Sequence, residues 1–381
     1  MRNAVIVDAV RTPAGRRNGM LKDHHAVDLA AIPLEALVQR NDLDPMLVED
    51  VILGCVSQSG EQGFNVARNA VLAAGYPEET VGTTVDRQCG SGQQAVHFAA
   101  QGVMAGAYDV VIAGGVESMT RVPMGVTAQG PGQPFGPRMQ ERYAHGLVPQ
   151  GISAEMIADK WAISRERLDG IAFDSHTRAA HATDEGRFES QIVPVETERG
   201  LMTADEGIRR ETTPEVLASL KPAFKTDGRI TAGNSSQISD GAAAILIMGE
   251  DIAEKLGYTP MARVAGFSLA GADPVMMLTA PIPATHKLLE KHEMSVGDID
   301  LFEVNEAFAS VPAAWLDETG ADWKKTNVNG GAIALGHPLG CSGAKLMTTL
   351  VHELKRTGGR WGIQAICEGG GTANGTLIEA L

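Results

Sequence analysis

Three glycine-rich stretches of the chain carry residues able to do chemistry. They are QCGSGQQA around Cys89, NGGAIALGHPLGCSGA around His337, and CEGGG beginning at Cys367; EVNEAF adds Asn305. Glycine lets the backbone turn sharply and approach a ligand closely, so a thiol on such a turn is presented for reaction. A helix pattern follows Cys89. A helix N-terminus offers free N–H groups and partial positive charge, which favour a thiolate, predict a lowered pKa for Cys89, and suit a thioester oxyanion. His337, held between Gly336 and Pro338, is placed to take the Cys89 proton. Cys367 ends a strand pattern and is a second thiol able to act as acid and base. Asn305 follows an apolar strand at Ile299–Val304; its amide either orients a water, donates to an oxyanion or caps a helix. Glu303 and Glu306 read as structural carboxylates, and Cys55 and Cys341 as structural thiols. These residues describe an enzyme that carries an acyl group on sulfur.

The elements that must position them repeat. VEDVILGCV from Val48 matches VGDIDLFEV from Val296, and 39 positions separate Asp50 from Cys89 as they do Asp298 from His337. Cys89 and His337 therefore hold equivalent places in two copies of one unit. Each copy reads strand, glycine loop, helix, strand. Val96, Ala99, Ala100, Val103 and Met104 fall at helical spacing before a strand at Val110–Ala113 ended by Gly114-Gly115. Leu346, Leu350 and Leu354 share a helical face before a strand reaching Ile366. That pattern predicts α/β units with buried sheets. Residues 119–237 differ, with more Gly, Pro and charge, an irregular stretch at Gly125–Gly136, and helices near Ala154–Trp161 and Arg165–Ala180. Ser164 is a candidate cap of the latter, in an incomplete capping box. They read as an inserted lid. The expected division is 1–118 with 238–260 as one half, 119–237 as the insertion, and 261–381 as the other half.

Composition bounds the class. The 381 residues are 44% hydrophobic and 21% charged, with a net charge of -15, as in a globular protein of two or three domains. The acidity argues against nucleic acid as a partner. Four cysteines without Cys-x-x-Cys spacing argue against zinc or a disulfide framework. No apolar run has signal-peptide or membrane-spanning length, and IEAL is not a peroxisomal address; the expectation is a cytoplasmic protein with no membrane partner.

Those motifs, together with VIVDAVRTPAGR, VIAGGVESMTRVPMG and TAGNSSQISDGAAA, resemble the thiolase family in order and spacing over essentially the whole chain. HPLGCSGA and the overall build resemble degradative 3-ketoacyl-CoA thiolases of fatty acid β-oxidation. The resemblance implies two duplicated α/β halves, each with a mixed five-stranded sheet, layered around central helices, with an inserted loop domain. It implies that Cys89 is acylated and that His337 activates it. Cys367 protonates the departing acetyl-CoA carbanion and deprotonates the incoming CoA. Asn305, through a water and with His337, forms one oxyanion hole; the N–H groups of Cys89 and Gly369 form the other. Coenzyme A is a co-substrate, with no permanently bound cofactor. Arg209 meets its nucleotide end, Leu220 packs nearby, and Ala232, Ser236, Ala307 and Phe308 line the pantetheine channel. A homodimer or a dimer of dimers is implied, with a hydratase/dehydrogenase subunit as a further partner.

Two positions depart from the family pattern. Glu368 follows Cys367 where relatives carry a small or apolar residue; on an extended segment its side chain is expected to point away from the thiol. Pro149-Gln150 replaces the His-Met typical of short-chain biosynthetic relatives, which points to a different and larger acyl pocket. QCGSGQQ and TAGNSSQISDGAAA also resemble actinobacterial thiolases of steroid side-chain breakdown. The competing readings are an acetoacetyl-CoA thiolase condensing two acetyl-CoA molecules and a non-catalytic thiolase-like acyl-CoA or lipid-binding protein. A β-ketoacyl synthase lacks the second cysteine, and the glycine runs do not match a dinucleotide fingerprint.

Overall fold

A computed structural model describes residues 2–381. Nine strands and eight helices position the site. The strands are β1 (Ala4–Arg11), β2 (Asp50–Gly54), β3 (Val81–Val85), β4 (Val110–Ser118), β5 (Ser239–Gly249), β6 (Ala262–Gly271), β7 (Leu301–Val304), β8 (Trp361–Glu368) and β9 (Thr372–Ala380). The helices are α1 (Ala26–Asn41), α2 (Val66–Ala73), α3 (Ser91–Ala105), α4 (Gln150–Lys160), α5 (Arg165–Asp184), α6 (Pro281–Lys291), α7 (Ser310–Thr319) and α8 (Leu339–Thr357).

The duplication is written in the strand pairing. In the first half the order is β3-β2-β4-β5-β1, with β2 parallel to both neighbours and β5 antiparallel to β4 and β1. In the second half β7 runs parallel to β8, and β9 antiparallel to β8 and β6. The order is therefore the same, but the partner equivalent to β3 has shrunk to a single parallel bridge, Phe302 with Thr326. The expectation of a separate five-stranded sheet in each half is corrected here. The second half has four strands, and the halves join edge to edge where Val5 and Ile6 pair with Arg263 and Ala262.

The sheet wraps round α3 and α8. One apolar cluster joins Val96, Ala99 and Val103 of α3 with Met347, Leu350 and Leu354 of α8, and with Ile245, Ile247, Val264 and Ile378 from both halves of the sheet. Outer layers bury the other sheet faces: α1 and α2 on the first half, α6 and α7 on the second. Each fully buried Leu or Ile contributes about 1.5–3 kcal/mol. Helix α8 is buried from Leu339 to Leu354 on every side, so its leucine stripe marks only part of its buried surface.

Glycines set how close the layers come. Gly114 and Gly115 do not end β4, which continues to Ser118. A Cβ on Gly115 would lie 2.1 Å from the Gly340 carbonyl oxygen, and one on Gly343 would lie 2.1 Å from the Gln93 nitrogen. Bare backbone is what lets the starts of α3 and α8 meet on β4.

Between the halves, α4 and α5 start earlier and end later, respectively, than the sequence pattern suggests. Ser164 caps α5 by accepting from the Arg167 N–H at 3.2 Å. Helix α5 braces the His337 side: Ser175 Oγ accepts from the Gly331 N–H (3.1 Å), and Arg178 donates to the Thr326 carbonyl (2.7 Å). Residues 127–142 are exposed. No helix among the described residues is long and apolar enough to cross a membrane.

Candidate active site

The Cys89 turn joins edge strand β3 to α3. Gln88 has φ +48°, a left-handed conformation rare for a residue with a side chain. Ser91 holds it: its Oγ accepts from the Arg87 N–H at 2.9 Å and donates to the Gln88 carbonyl at 2.6 Å. The result presents Cys89 just before the N-cap, Gly90. Cys89 shares an apolar cluster with Met119, Leu339, Leu346 and Ile366, and keeps 4% of its surface exposed, whereas Cys367 keeps none.

His337 lies in the equivalent turn before α8. Gly336, at φ +81°, swings the chain out of a short helix (Ala332–Leu335), and Pro338 is the N-cap of α8. One hydroxyl fixes the backbone and another the ring. Ser239 Oγ accepts from the His337 backbone N–H at 3.1 Å, and Ser342 Oγ lies 2.6 Å from Nδ1. Ser342 donates its own proton to the Pro338 carbonyl at 2.8 Å, so it accepts from Nδ1–H. That assigns the tautomer and leaves Nε2 unprotonated, an acceptor.

Asn305 connects this histidine to the second thiol. Its Nδ2 is 3.3 Å from His337 Nε2, and its side chain also hydrogen-bonds the Cys367 sulfur. It caps no helix, since α7 begins only at Ser310; its Oδ1 is buried without a partner. On the other side, the N–H groups of Cys89 itself and of Gly369 both reach the Cys89 sulfur. Cys89, His337, Cys367, Asn305 and Gly369 are thus gathered around one point. Cys55 and Cys341 are buried in the apolar clusters, away from it.

The electrostatics correct one expectation. The Cys89 thiol is not acidified by the helix start: burial, then the Glu368 charge, push it up to about 12, against the two N–H groups that pull it down. Cys367 is raised well above the usual thiol range by burial, then by Cys89 and Glu368. Burial lowers His337 to about 3, helped by the Lys345 charge. Desolvation disfavours every charged form here. The resting site therefore holds two neutral thiols and a neutral imidazole.

Glu368 departs from expectation in part. It leaves the Cys367 face of β8 but not the site: it is fully buried, a Cβ on Gly90 would lie 1.9 Å from its Oε1, and its charge bears on both thiols. The alternation of β8 is kept: Glu368 shares its strand face with Gln364 and Ile366, and that face, opposite Cys367, packs against the starts of α3 and α8.

A cavity of about 560 Å³ opens beside the site, lined by Arg16, Arg17, Arg209, Phe224, Ala232, Ser235, Ser236 and Ile238, among others. Ile238 also packs against the Cys89 cluster, so the cavity wall runs on to the nucleophile side. Of the residues implied for coenzyme A, Arg209, Ala232 and Ser236 line it. Ala307 lies behind it, accepting from the Ser236 N–H at 2.9 Å, and Phe308 packs edge-on against Phe224. Leu220 stands behind Gly233. Arg209 is exposed and makes no ion pair among the described residues, whereas Arg210 is paired with Asp184. Arg16, Arg17 and Phe224 went unread in the sequence, although Arg16 closes the VIVDAVRTPAGR stretch.

The thiolase N-terminal domain family matches residues 4–251, and the thiolase C-terminal domain family matches residues 258–380. The chain is a thiolase. It is 50% identical to the steroid 3-ketoacyl-CoA thiolase FadA6 of Mycobacterium tuberculosis, over 100% of this chain and 95% of that protein. It is 46% identical to the 3-ketoacyl-CoA thiolase of Aliivibrio salmonicida, over the full length of both. The crystal structure of the Bacillus anthracis acetyl-CoA acetyltransferase superposes with a TM-score of 0.92 at 42% identity, covering 100% of this chain and 99% of that one. As in other thiolases, then, the two halves form one α/β fold, and the chain is an acyltransferase.

Proposed function

We propose that this thiolase cleaves 3-ketoacyl-CoA esters with coenzyme A, releasing acetyl-CoA and a shortened acyl-CoA. The observation that carries this reading is the gathering of two thiols, an imidazole with an unprotonated Nε2, and the Gly369 N–H, with an arginine-lined cavity that reaches the Cys89 cluster through Ile238.

In the proposed mechanism Cys89 Sγ attacks the 3-keto carbon as its proton passes to His337 Nε2. The oxyanion is met by His337 and Asn305, and the C2–C3 bond breaks. The thiol proton of Cys367 goes to C2 of the departing acetyl-CoA, leaving a Cys367 thiolate. That thiolate takes the proton of the incoming CoA thiol, which attacks the acyl-Cys89 thioester. The Cys89 and Gly369 N–H groups stabilise that second oxyanion, and Cys89 leaves, recovering its proton from His337. Because burial makes every charge costly, charge develops only where these donors are already aimed, which is how a preorganised site lowers a barrier.

Arg209, Arg16 and Arg17 suit a phosphorylated nucleotide end, and Ala232 and Ser236 suit a narrow pantetheine arm, with Ala307, Phe308 and Leu220 supporting the wall. Gln150 favours acyl groups longer than four carbons. Its amide nitrogen is 3.4 Å from where a Gly369 Cβ would stand, so the position that departs from His-Met faces the reacting centre. The similarity to FadA6 supports including bulky, steroid-derived acyl groups. The reading as an acetoacetyl-CoA thiolase draws on the Bacillus anthracis neighbour. Measuring kcat/KM on short, long and bulky 3-ketoacyl-CoA esters separates the two; activity confined to the four-carbon ester would overturn this proposal. A symmetric homo-oligomer in the cytoplasm, with a hydratase/dehydrogenase partner, completes the reading, and size-exclusion chromatography with light scattering checks the oligomer.

A further inference from the structure

Glu368 is a buried carboxyl that the mechanism above does not use. It follows Cys367 at the end of β8 and is packed onto Gly90 at the start of α3, touching the turns of both thiols. One oxygen is satisfied: Oε2 accepts from Thr372 Oγ1 at 2.5 Å. The other, Oε1, is buried with no partner. Gly90 is required for this arrangement, because any side chain there would expel the carboxyl.

We propose that Glu368 is a positioning residue for the thiol pair, a proton-dependent charge beneath the Cys89 turn that decides how readily Cys89 and Cys367 give up their protons. A buried carboxylate with one unsatisfied oxygen is costly, which favours its protonated form. Burial pushes this carboxyl up to about 7, against the Thr372 hydroxyl and the Arg87 charge. The groups facing it are Arg87 from the turn, the two thiols, and Thr372 and the Asn374 backbone from β9. Glu117 acts on Cys89 more weakly from β4. Below neutral pH Glu368 is uncharged and leaves the thiols alone. Above it the carboxylate opposes ionisation of both, in a site where charges interact strongly.

The proposal rests on Cys89 and Cys367 being the reacting thiols, but its test needs no turnover, so the two ideas can fail separately. The rate of Cys89 alkylation by iodoacetamide is followed against pH by peptide mass mapping. In the wild type the rate should climb, slow across neutral pH as Glu368 ionises, and climb again. In Glu368→Gln the plateau should vanish: rates match wild type below pH 6 and exceed it by about tenfold at pH 8–9, a shift of about one pH unit. A residue with a purely structural role would change the rate at all pH values alike. A wild-type profile rising without a plateau overturns the proposal, even if the variant fails to fold. A folded Glu368→Gln with an unshifted profile does the same.

Discussion

The Cys89 turn and the His337 turn are the same place in two copies of one unit, and they have diverged in instructive ways. Each lies just before a central helix, and the two helix starts meet because Gly115, Gly340 and Gly343 leave no side chains between them. The first copy keeps a full strand, β3, leading to its turn; the second has only the Thr326 bridge, then a loop with a short helix. That loop is braced from outside, by α5 through Ser175 and Arg178 and by the Arg187 bond to Asn329 (2.8 Å). A strand end delivers the thiol with one strained residue. At the other turn one hydroxyl, Ser239, holds the His337 backbone and a second, Ser342, fixes the tautomer of its ring. The repeated unit brings two helix starts together, and the half with a loop in place of the strand carries the base.

The largest test of this division of labour removes the thiol. Cys89→Ala should abolish the covalent acyl-enzyme seen by intact mass and lower kcat by at least about 10⁴-fold; an acyl adduct persisting on the variant would sink the assignment and favour a binding protein. Removing the base comes next. His337→Asn should cost roughly 10³-fold in kcat while leaving CoA affinity near wild type, as read by calorimetry. The scaffold itself is tested by Gly343→Ala, whose new methyl has backbone of α3 in its way. A loss of about 1–3 kcal/mol in chemical denaturation is expected, with reduced kcat; an unchanged protein would mean the helix starts can part freely. Ser342→Ala releases the tautomer and should cost about tenfold in kcat at unchanged KM. Smallest is Arg209→Ala, which should raise KM for CoA by roughly threefold to tenfold at low salt and leave kcat alone.

Some of this was legible in the residues. The 39-position spacing foretold that Cys89 and His337 would be equivalent, and the strand order bears that out. The helix after each turn, the strands before them and the Ser164 cap followed from periodicity and side-chain type. Other features were not. Gly114-Gly115 looked like a terminator because glycine often is one; the close approach of Ala243 to Gly114 and of Gly340 to Gly115 explains a glycine pair inside a buried strand. Glu368 was expected to point away from the Cys367 thiol, and it does alternate with it, but the opposite face of β8 is covered by the start of α3, which only the packing of the two halves reveals. The acidity of Cys89 was inferred from a local feature, the helix start, while the outcome depends on how much protein surrounds it.

Sequence by itself determined which atoms are available: two thiols, an imidazole, an amide and the glycines that let backbone come near them. It also determined the family, because motif order survives without knowledge of distance. The tertiary structure alone decided the charge state and direction of those groups. Desolvation and hydrogen bonding sum over everything packed within a few ångströms, and nearly all those neighbours of Cys89, from Leu339 to Gly369, are remote along the chain.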